Sequence, residues 1–475
     1  MNRRRFLQGL SAGVLAAGTR PRWLRAGEPK ARPNVVVIIT DDAGYADFAC
    51  YGGKQIPTPN IDAIARAGVR LTQAYVSASV CGPSRAGLMT GRYQQRFGHE
   101  FNGPGRPQPD YTRADMGLDL RERTFGDAMK ALGYRTMAIG KWHLGMGEAY
   151  HPLSRGFDEF FGMLGGSRSY FPIRGSVSTG ARMMRNRQPV PESELTYTTD
   201  DFTAEAVSFI RRNRSRPFFL YLSYNAVHTP MHPRADLLAR VKDVEPKARR
   251  AYAAMTLALD EGVGKVLAAL DESRSADNTL VVLINDNGGA TNNASDNGPL
   301  RGMKGSKWEG GIRVPMILRF PGHVPAGKTY DAPVISLDIL PTCVAAAGAR
   351  PHGAKGRKLD GVDLLPYLTG RRPGAAHETL FWRRGPAAAV RSGPWKLLRV
   401  RGNPTLLFHL GHDLGETKDL AARHPEVVAR MTADLARWEK QLAPPKWVEG
   451  DRWQRNQVLK HRMDVVGRDA ERRLP

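Results

Sequence analysis

Residues Asn34–Asp42 read N-V-V-V-I-I-T-D-D, a run dominated by Val and Ile and closed by two acids. The apolar residues stand at consecutive rather than alternate positions, which marks a strand covered on both faces, the habit of parallel sheets. Three more segments share this texture: Tyr134–Ile139, Phe218–Ser223 (F-F-L-Y-L-S) and Thr279–Ile284 (T-L-V-V-L-I). Helical spacing fills the intervals: Asn60–Ala67 follows T-P-N, Glu122–Leu132 stops at Gly133, and Pro246–Leu270 is a long helix. Strand alternating with helix predicts an α/β fold, with a large central mixed, mostly parallel sheet sandwiched by helices. After about residue 375 the texture changes. Ala389–Arg391 and Trp395–Val400 read as an antiparallel hairpin and Pro425–Leu442 as a helix, so a smaller C-terminal α+β subdomain is expected.

The chain has 475 residues, 41% of them hydrophobic and 24% charged. These values suit one large core or two unequal ones, and they exclude a small disulfide scaffold and a disordered chain. Three cysteines, Cys50, Cys81 and Cys343, allow one bridge at most, and the lack of a C-x-x-C pair argues against a thiolate zinc site. The formal charge of +24 points to a polyanionic partner: nucleic acid, anionic lipid or an acidic substrate.

The N-terminus narrows that choice. Residues 2–8, N-R-R-R-F-L-Q, lead into an apolar stretch ending at Gly18, shorter than the roughly 20 residues a membrane helix needs. A basic start, a short apolar core and an Ala/Gly-rich end make a signal peptide. The arginine pair followed by Phe-Leu looks like a twin-arginine leader, which exports folded proteins. The expectation is an exported, periplasmic protein that uses the twin-arginine machinery and is not an integral membrane protein. Residues 1–27 form the leader, with cleavage after Gly18 or nearer Gly27, and its loss leaves a charge of +18. A main domain over 33–375, a subdomain over 376–445 and a basic tail over 446–475 follow. The tail has no clear apolar stripe and is expected to wrap the surface.

Chemistry-bearing residues cluster just past the ends of the four strands. Asp41 and Asp42 follow the first, Lys141 and His143 the second, His228 the third, and Asp286 and Asn287 the fourth. In open α/β sheets ligands bind at the carboxyl edge of the strands, so four such ends describe one site assembled from separate loops. Asp41, Asp42, Asp286 and Asn287 offer oxygen donors, which suit a hard cation, Ca²⁺ or Mg²⁺, better than zinc.

Residues 81–91, C-G-P-S-R-A-G-L-M-T-G, match C-x-P-S-R-x-x-x-x-T-G at every fixed position. This resembles the signature of the formylglycine-dependent sulfatase family, within the alkaline-phosphatase-like superfamily. The resemblance extends through P-T-P-N-I-D-A-I-A, G-K-W-H-L-G at 140–145, V-H-T-P at 227–230, D-N-G at 286–288 and G-M-K-G-S-K-W-E-G-G at 302–311, covering roughly residues 33–430. It implies that Cys81 is oxidised to formylglycine by a formylglycine-generating enzyme. The hydrated aldehyde then attacks sulfur with one hydroxyl and expels sulfate with the other. It also implies that Asp41, Asp42, Asp286, Asn287 and the converted Cys81 bind the cation, most often Ca²⁺. Arg85 would hold the hydrate, and Lys141 and Lys304 would bind sulfate oxygens. His143 is the expected base and His228 the expected acid, touching substrate, with Lys304 as second candidate for the acid. Lys307 lies near enough to Lys304 to compete for the sulfate, and the match of the G-M-K-G segment favours Lys304.

The expected activity is therefore hydrolysis of sulfate esters, of a sulfated small molecule or glycan. Two alternatives stay open: a phosphonate or phosphate ester hydrolase of the same superfamily, and a non-catalytic polyanion-binding protein. Nucleic acid is not expected, because no recognition-helix motif or stacking pattern accompanies the charge. The basic segment 164–190 is expected to border the active site and to read a sugar through Arg168, Arg174 or nearby groups.

Overall fold

The computed structural model describes residues 32–103 and 105–463; the leader expected over 1–27 and the last tail residues, 464–475, lie outside the described residues. The central strands are β1 (Asn34–Thr40), β2 (Arg135–Lys141), β3 (Glu159–Met163), β4 (Phe218–Ser223), β5 (Thr279–Asn285) and β6 (Met316–Arg319). They belong to a ten-stranded sheet whose middle runs β6-β5-β1-β4-β2-β3. From β5 to β3 the pairing is parallel; β6 is antiparallel, and short strands finish both edges. The expected mixed, mostly parallel sheet is what forms.

Strand β1 shows why consecutive apolar residues are needed. Val35, Val37 and Ile39 enter one core with Phe219, Tyr221 and Val282, whereas Val36 and Ile38 enter the other with Leu220, Leu222 and Leu283. Alternate side chains of a strand point to opposite faces, so a strand between two cores must be apolar at every position. The first core holds helix α1 (Cys81–Thr90); the second holds α2 (Thr198–Arg212) and the 26-residue α3 (Lys247–Glu272).

The C-terminal part forms a four-stranded antiparallel sheet: β7 (Thr379–Arg384), β8 (Ala387–Ser392), β9 (Trp395–Val400) and β10 (Leu406–His409). Helix α4 (Pro425–Glu439) packs on it through Met431 and Leu435. One helix is shorter than its sequence pattern. Glu122 and Arg123 lie outside the helix Phe125–Ala131 because Thr124 and Asp127 close a capping box there. The described part of the tail is ordered into short elements on the surface. Trp447–Val448 pairs with Arg106–Pro107, and α5 (Asp451–Leu459) stands beside the carboxyl edge of the main sheet. Among the described residues no helix is long and apolar enough to cross a membrane.

Candidate active site

Register places the strand ends level. Thr40 pairs with Asn285, Ile39 with Ser223, and Gly140 with Ser223, so Asp41, Asp286 and Lys141 emerge at one height. Gly140 permits this approach: its φ is +96°, and a Cβ there would lie 1.9 Å from the Ser223 carbonyl oxygen. Asp42 and His143, which are not glycines, also sit in the left-handed region, at φ 61° and 58°. Strain of this kind concentrates where a loop must aim a side chain.

Cys81 opens α1, and every residue of that helix is buried. A helix start presents unpaired N–H groups and a positive dipole end, both of which favour an anion. The Gly82 N–H is taken by Asn102 Oδ1 at 2.9 Å. Burial disfavours the Cys81 thiolate, yet Lys141 and Lys304 outweigh it and hold the thiol well below its usual range. Cys50 and Cys343 behave oppositely: burial pushes both up, and at Cys50 the neighbouring Asp62 outweighs Arg70. All three are free cysteines.

Arg85 lies one turn after Cys81 on the same face. It donates to Asp286 Oδ2 at 2.9 Å and to the Lys141 carbonyl at 3.2 Å, and it also bonds Ser223 Oγ. Lys141 Nζ donates to Asp41 Oδ2 at 2.6 Å, and Lys304 Nζ to Asp42 Oδ2 at 2.8 Å. Three carboxylates and three cationic side chains thus meet in a buried space. Burial opposes the charge on Asp42, but Lys304, His228 and Lys141 hold its carboxyl well below the usual range; burial and Asp41 raise that of Asp286.

The Cys81 Sγ donates to Asp41 Oδ1 at 3.7 Å, and burial lowers the pKa of His143 although Cys81 opposes the shift, which favours the neutral, proton-accepting form. His228 gives Nδ1 to the Thr229 carbonyl at 2.6 Å, so Nε2 faces Asp42 Oδ2 at 3.5 Å. Burial and Lys304 oppose its charge, but Asp42 and Asp41 prevail and raise its pKa, which favours the protonated form. Two histidines therefore stand at one site with shifts of opposite sign, an acid/base arrangement.

Asp41, Asp42, Cys81 and His228 bring ligand atoms within 4.8 Å of one another, a group able to hold a metal ion. Asn287 sends Nδ2 to Asp42 Oδ1 at 2.8 Å, while its buried Oδ1 has no hydrogen-bond partner. A buried amide oxygen without a donor, beside three carboxylates, fits a hard cation. His228 joins this group in addition to the residues expected from sequence, and the Asp286 carboxylate is turned toward Arg85.

Lys304 and Lys307 separate clearly. Lys304 reaches the acidic centre, while Lys307 Nζ is directed to Ser79 Oγ at 3.2 Å. Two positioning residues carried no sequence signal. Asn285 accepts from the Ala43 N–H at 3.1 Å and donates to its carbonyl at 2.7 Å, which ties the Asp41-Asp42 loop to the Asp286 loop. Asn293 bridges the Asp42 and Val227 carbonyls at 3.1 and 3.0 Å. Both lie in or beside Asn-rich turns, where composition cannot tell a brace from an ordinary turn residue.

The 164–190 segment corrects one expectation. Arg168 is buried, pairs with Glu192 at 2.8 Å and donates to the Ala181 carbonyl, so it is committed to its own loop. The loop supports the site from behind: Tyr170 donates to the Asn225 and His228 carbonyls at 2.6 and 2.9 Å.

Residues 33–349 match the Sulfatase family. The chain is 34% identical to the steryl-sulfatase of Homo sapiens over 440 residues, 76% of this chain and 73% of that one. It is 30% identical to the N-acetylgalactosamine-6-sulfatase of Canis lupus familiaris over 507 residues, 93% and 90% of the two chains. The crystal structure of Ps i-CgsB, also solved in complex with k-i-k-neocarrahexaose, superposes with a TM-score of 0.82 at 36% identity over 88% of this chain and 95% of that one. The chain belongs to the sulfatase family and is a sulfuric ester hydrolase.

Proposed function

We propose that the substrate is a sulfated carbohydrate, cleaved at a formylglycine made from Cys81 beside a divalent cation, Ca²⁺ or alternatively Mg²⁺. The observation that carries this is Cys81 itself: a buried thiol at a helix start whose sulfur meets Asp41 Oδ1 at 3.7 Å, with two lysines lowering its pKa. Asp41, Asp42, Asp286, Asn287 and residue 81 would hold the cation, which would supply charge stabilisation to the sulfate oxygens. Hydrated formylglycine would supply the oxygen nucleophile.

The side chains divide the remaining work. Asp41, Asp42 and Asp286 balance Lys141, Lys304 and Arg85 in number, so the six groups sum to no net charge. A dication held by these carboxylates would offset two of their three charges and leave the two ammonium groups to the sulfate oxygens, giving the site a net positive charge for an anionic ester. Arg85, locked by Asp286 and the Lys141 carbonyl, orients residue 81. Neutral His143 takes the proton at residue 81, and His228 delivers one from Nε2 to the leaving oxygen, with Lys304 as second donor.

The leader over 1–27 supports export through the twin-arginine machinery to the periplasm, and a formylglycine-generating enzyme is the modifying partner. Residues 33–375 form the catalytic domain, 376–445 the subdomain and 446–475 the tail. The test compares kcat/KM on 4-nitrophenyl sulfate and on a phenylphosphonate monoester, with mass spectrometry of the peptide holding residue 81. Formylglycine and a preference for the sulfate are expected. A preference for the phosphonate, or an unmodified Cys81 in fully active protein, overturns the proposal.

A further inference from the structure

The relatives' names point to unlike leaving groups, a sterol and a sugar. In this chain the wall facing Lys304 and His228 distinguishes them. A cleft of about 610 Å³ opens above these two residues, and its opposite side is built by Arg384, Glu449 and helix α5. We propose that the segment Trp447–Lys460 is the leaving-group subsite, and that it takes a pyranose ring bearing a further anionic substituent. This rests on the sulfated-carbohydrate assignment above.

The helix face has the wrong chemistry for packing and the right chemistry for a ligand. Trp453, Asn456, Gln457 and Lys460 recur at i, i+3, i+4 and i+7, the spacing of one helical face, and all four line the cleft. An ordinary surface helix would place Leu or Val there to meet the core. Here the face carries two amides, a cation and an indole that is 58% exposed. Trp453 is the most exposed large apolar side chain among the described residues. An indole at the rim offers a flat apolar surface for a sugar ring.

Behind the indole lie polar atoms without partners. Arg384, Glu449, Asn456 and Gln457 are 3%, 8%, 7% and 2% exposed. Arg384 Nη2 pairs with Glu449 Oε1. Arg384 Nε and Nη1, Glu449 Oε2, Asn456 Oδ1 and Gln457 Oε1 have no hydrogen-bond partner in the protein. Leaving such groups sealed from water costs about 1–3 kcal/mol each. These atoms are already closed off from solvent, so relieving them takes groups that donate and accept, which sugar hydroxyls supply and a steroid skeleton does not.

Charge selects among sugars. Gly305, next to Lys304, has φ +89°, and a Cβ there would meet Lys460 Nζ at 3.3 Å, Arg384 Nη1 at 3.4 Å and Gln457 Nε2 at 3.5 Å. Three nitrogen tips converge on one backbone position beside the sulfate-binding lysine. Arg384 meets Glu449 through Nη2 and leaves Nε and Nη1 without a hydrogen-bond partner. Two open guanidinium donors beside the converging tips suit a second sulfate or a carboxylate on the sugar.

The subsite is held in place before any ligand arrives. Trp447 is buried and donates Nε1 to the Phe101 carbonyl at 3.0 Å. At the other end, His461 Nε2 accepts from the Lys307 N–H at 2.7 Å, Trp308 Nε1 donates to the Lys460 carbonyl at 3.0 Å, and Lys460 Nζ donates to the Lys304 carbonyl at 3.1 Å. Both ends of α5 are clamped to the catalytic body, one of them to the lysine loop itself. Rigid positioning of this kind favours specificity.

The experiment measures kcat/KM of the full-length, formylglycine-bearing enzyme on 4-nitrophenyl sulfate, a steroid sulfate, N-acetylgalactosamine 6-sulfate and a sulfated carrageenan hexasaccharide. Glycan substrates carrying a second anionic group are expected to exceed the steroid sulfate. Trp453→Ala is expected to lower the glycan-to-aryl ratio of kcat/KM about tenfold, mainly through KM, with Trp453→Phe restoring most of it. Asn456→Leu is expected to lower the same ratio. An unchanged ratio in both Trp453→Ala and Asn456→Leu overturns the subsite, as does a preference for the steroid sulfate. Cleavage of 4-nitrophenyl sulfate with none of any glycan overturns both the subsite and the carbohydrate substrate, while leaving the formylglycine chemistry standing. Inactivity on every sulfate ester with formylglycine present overturns that chemistry itself.

Discussion

Two buried charge clusters in this molecule look alike in composition and differ in purpose. The first is the active centre around Cys81. The second lies where the small sheet meets the main domain, around Glu309, Lys396 and Glu416, all of them buried. Lys396, on β9, lies 2.8 Å from both Glu309 and Glu416. Glu309 accepts from the Tyr75 hydroxyl at 2.7 Å, and Glu416 accepts from the Glu309 N–H at 2.7 Å. Arg313 and Arg391 complete the group, against Glu309 and Tyr75.

The junction is closed: its charges meet one another, and they tie the small sheet to the segment that follows the Lys304 loop. The active centre lies beside a cleft and keeps a buried oxygen, Asn287 Oδ1, without a donor. Buried charge alone therefore does not mark a functional site. The opening beside the active centre does.

The contrast can be broken at either cluster. The largest effect is expected at the centre, where Cys81→Ala should lower kcat/KM on 4-nitrophenyl sulfate by on the order of 10⁴-fold or more while leaving the melting temperature within a few degrees. Retained turnover would remove Cys81 from the chemistry. Next, Lys396→Met should destabilise the fold by about 3–5 kcal/mol, because it leaves two buried carboxylates facing each other. Urea unfolding measures this loss. Folded Lys396→Met enzyme that kept its stability but lost kcat would make the junction part of the catalytic apparatus.

The smallest effect is a pH dependence. Burial pushes Glu416 up to about 7, against an ordinary value of 4.5, with Lys396 opposing and Glu309 reinforcing the shift. Between those two values the folded chain keeps a proton that the unfolded chain loses. The contribution of Glu416 to stability is thus complete below about pH 4.5 and lost as pH rises through about 7. Glu416→Gln has no proton to lose, so its melting temperature relative to wild type should rise from about pH 5 to about pH 8. A flat difference would place the shared proton elsewhere in the cluster.

How much of this was legible in the sequence depends on the range of the interactions. The four buried strands were, because a strand between two cores must be apolar at every position, and that is a local pattern. Asp41, Asp42, Lys141, Asp286 and Asn287 were, because each directly follows or ends such a strand. Arg85 and His228 were legible through short motifs. Asn285 and Asn293 were not, since a bracing amide and a turn amide have the same composition. Arg168 was misjudged for a related reason: a basic loop residue looks the same whether it faces solvent or Glu192.

The tail marks the boundary most clearly. Its spacing of Trp453, Asn456, Gln457 and Lys460 is written in the chain, but a polar helical face has no meaning until something faces it. The sequence alone determined the sheet, the strand-end chemistry and the C-G-P-S-R segment, because these rest on periodicity and on neighbours close along the chain. The G-M-K-G segment already favoured Lys304 over Lys307, and the tertiary structure showed where each lysine goes; only the tertiary structure decided that residues 447–460 return to the catalytic cleft. Those outcomes depend on contacts between segments about 150 to 260 residues apart, such as Lys304 with Asp42 and Lys307 with His461. Local pattern carries no record of such contacts.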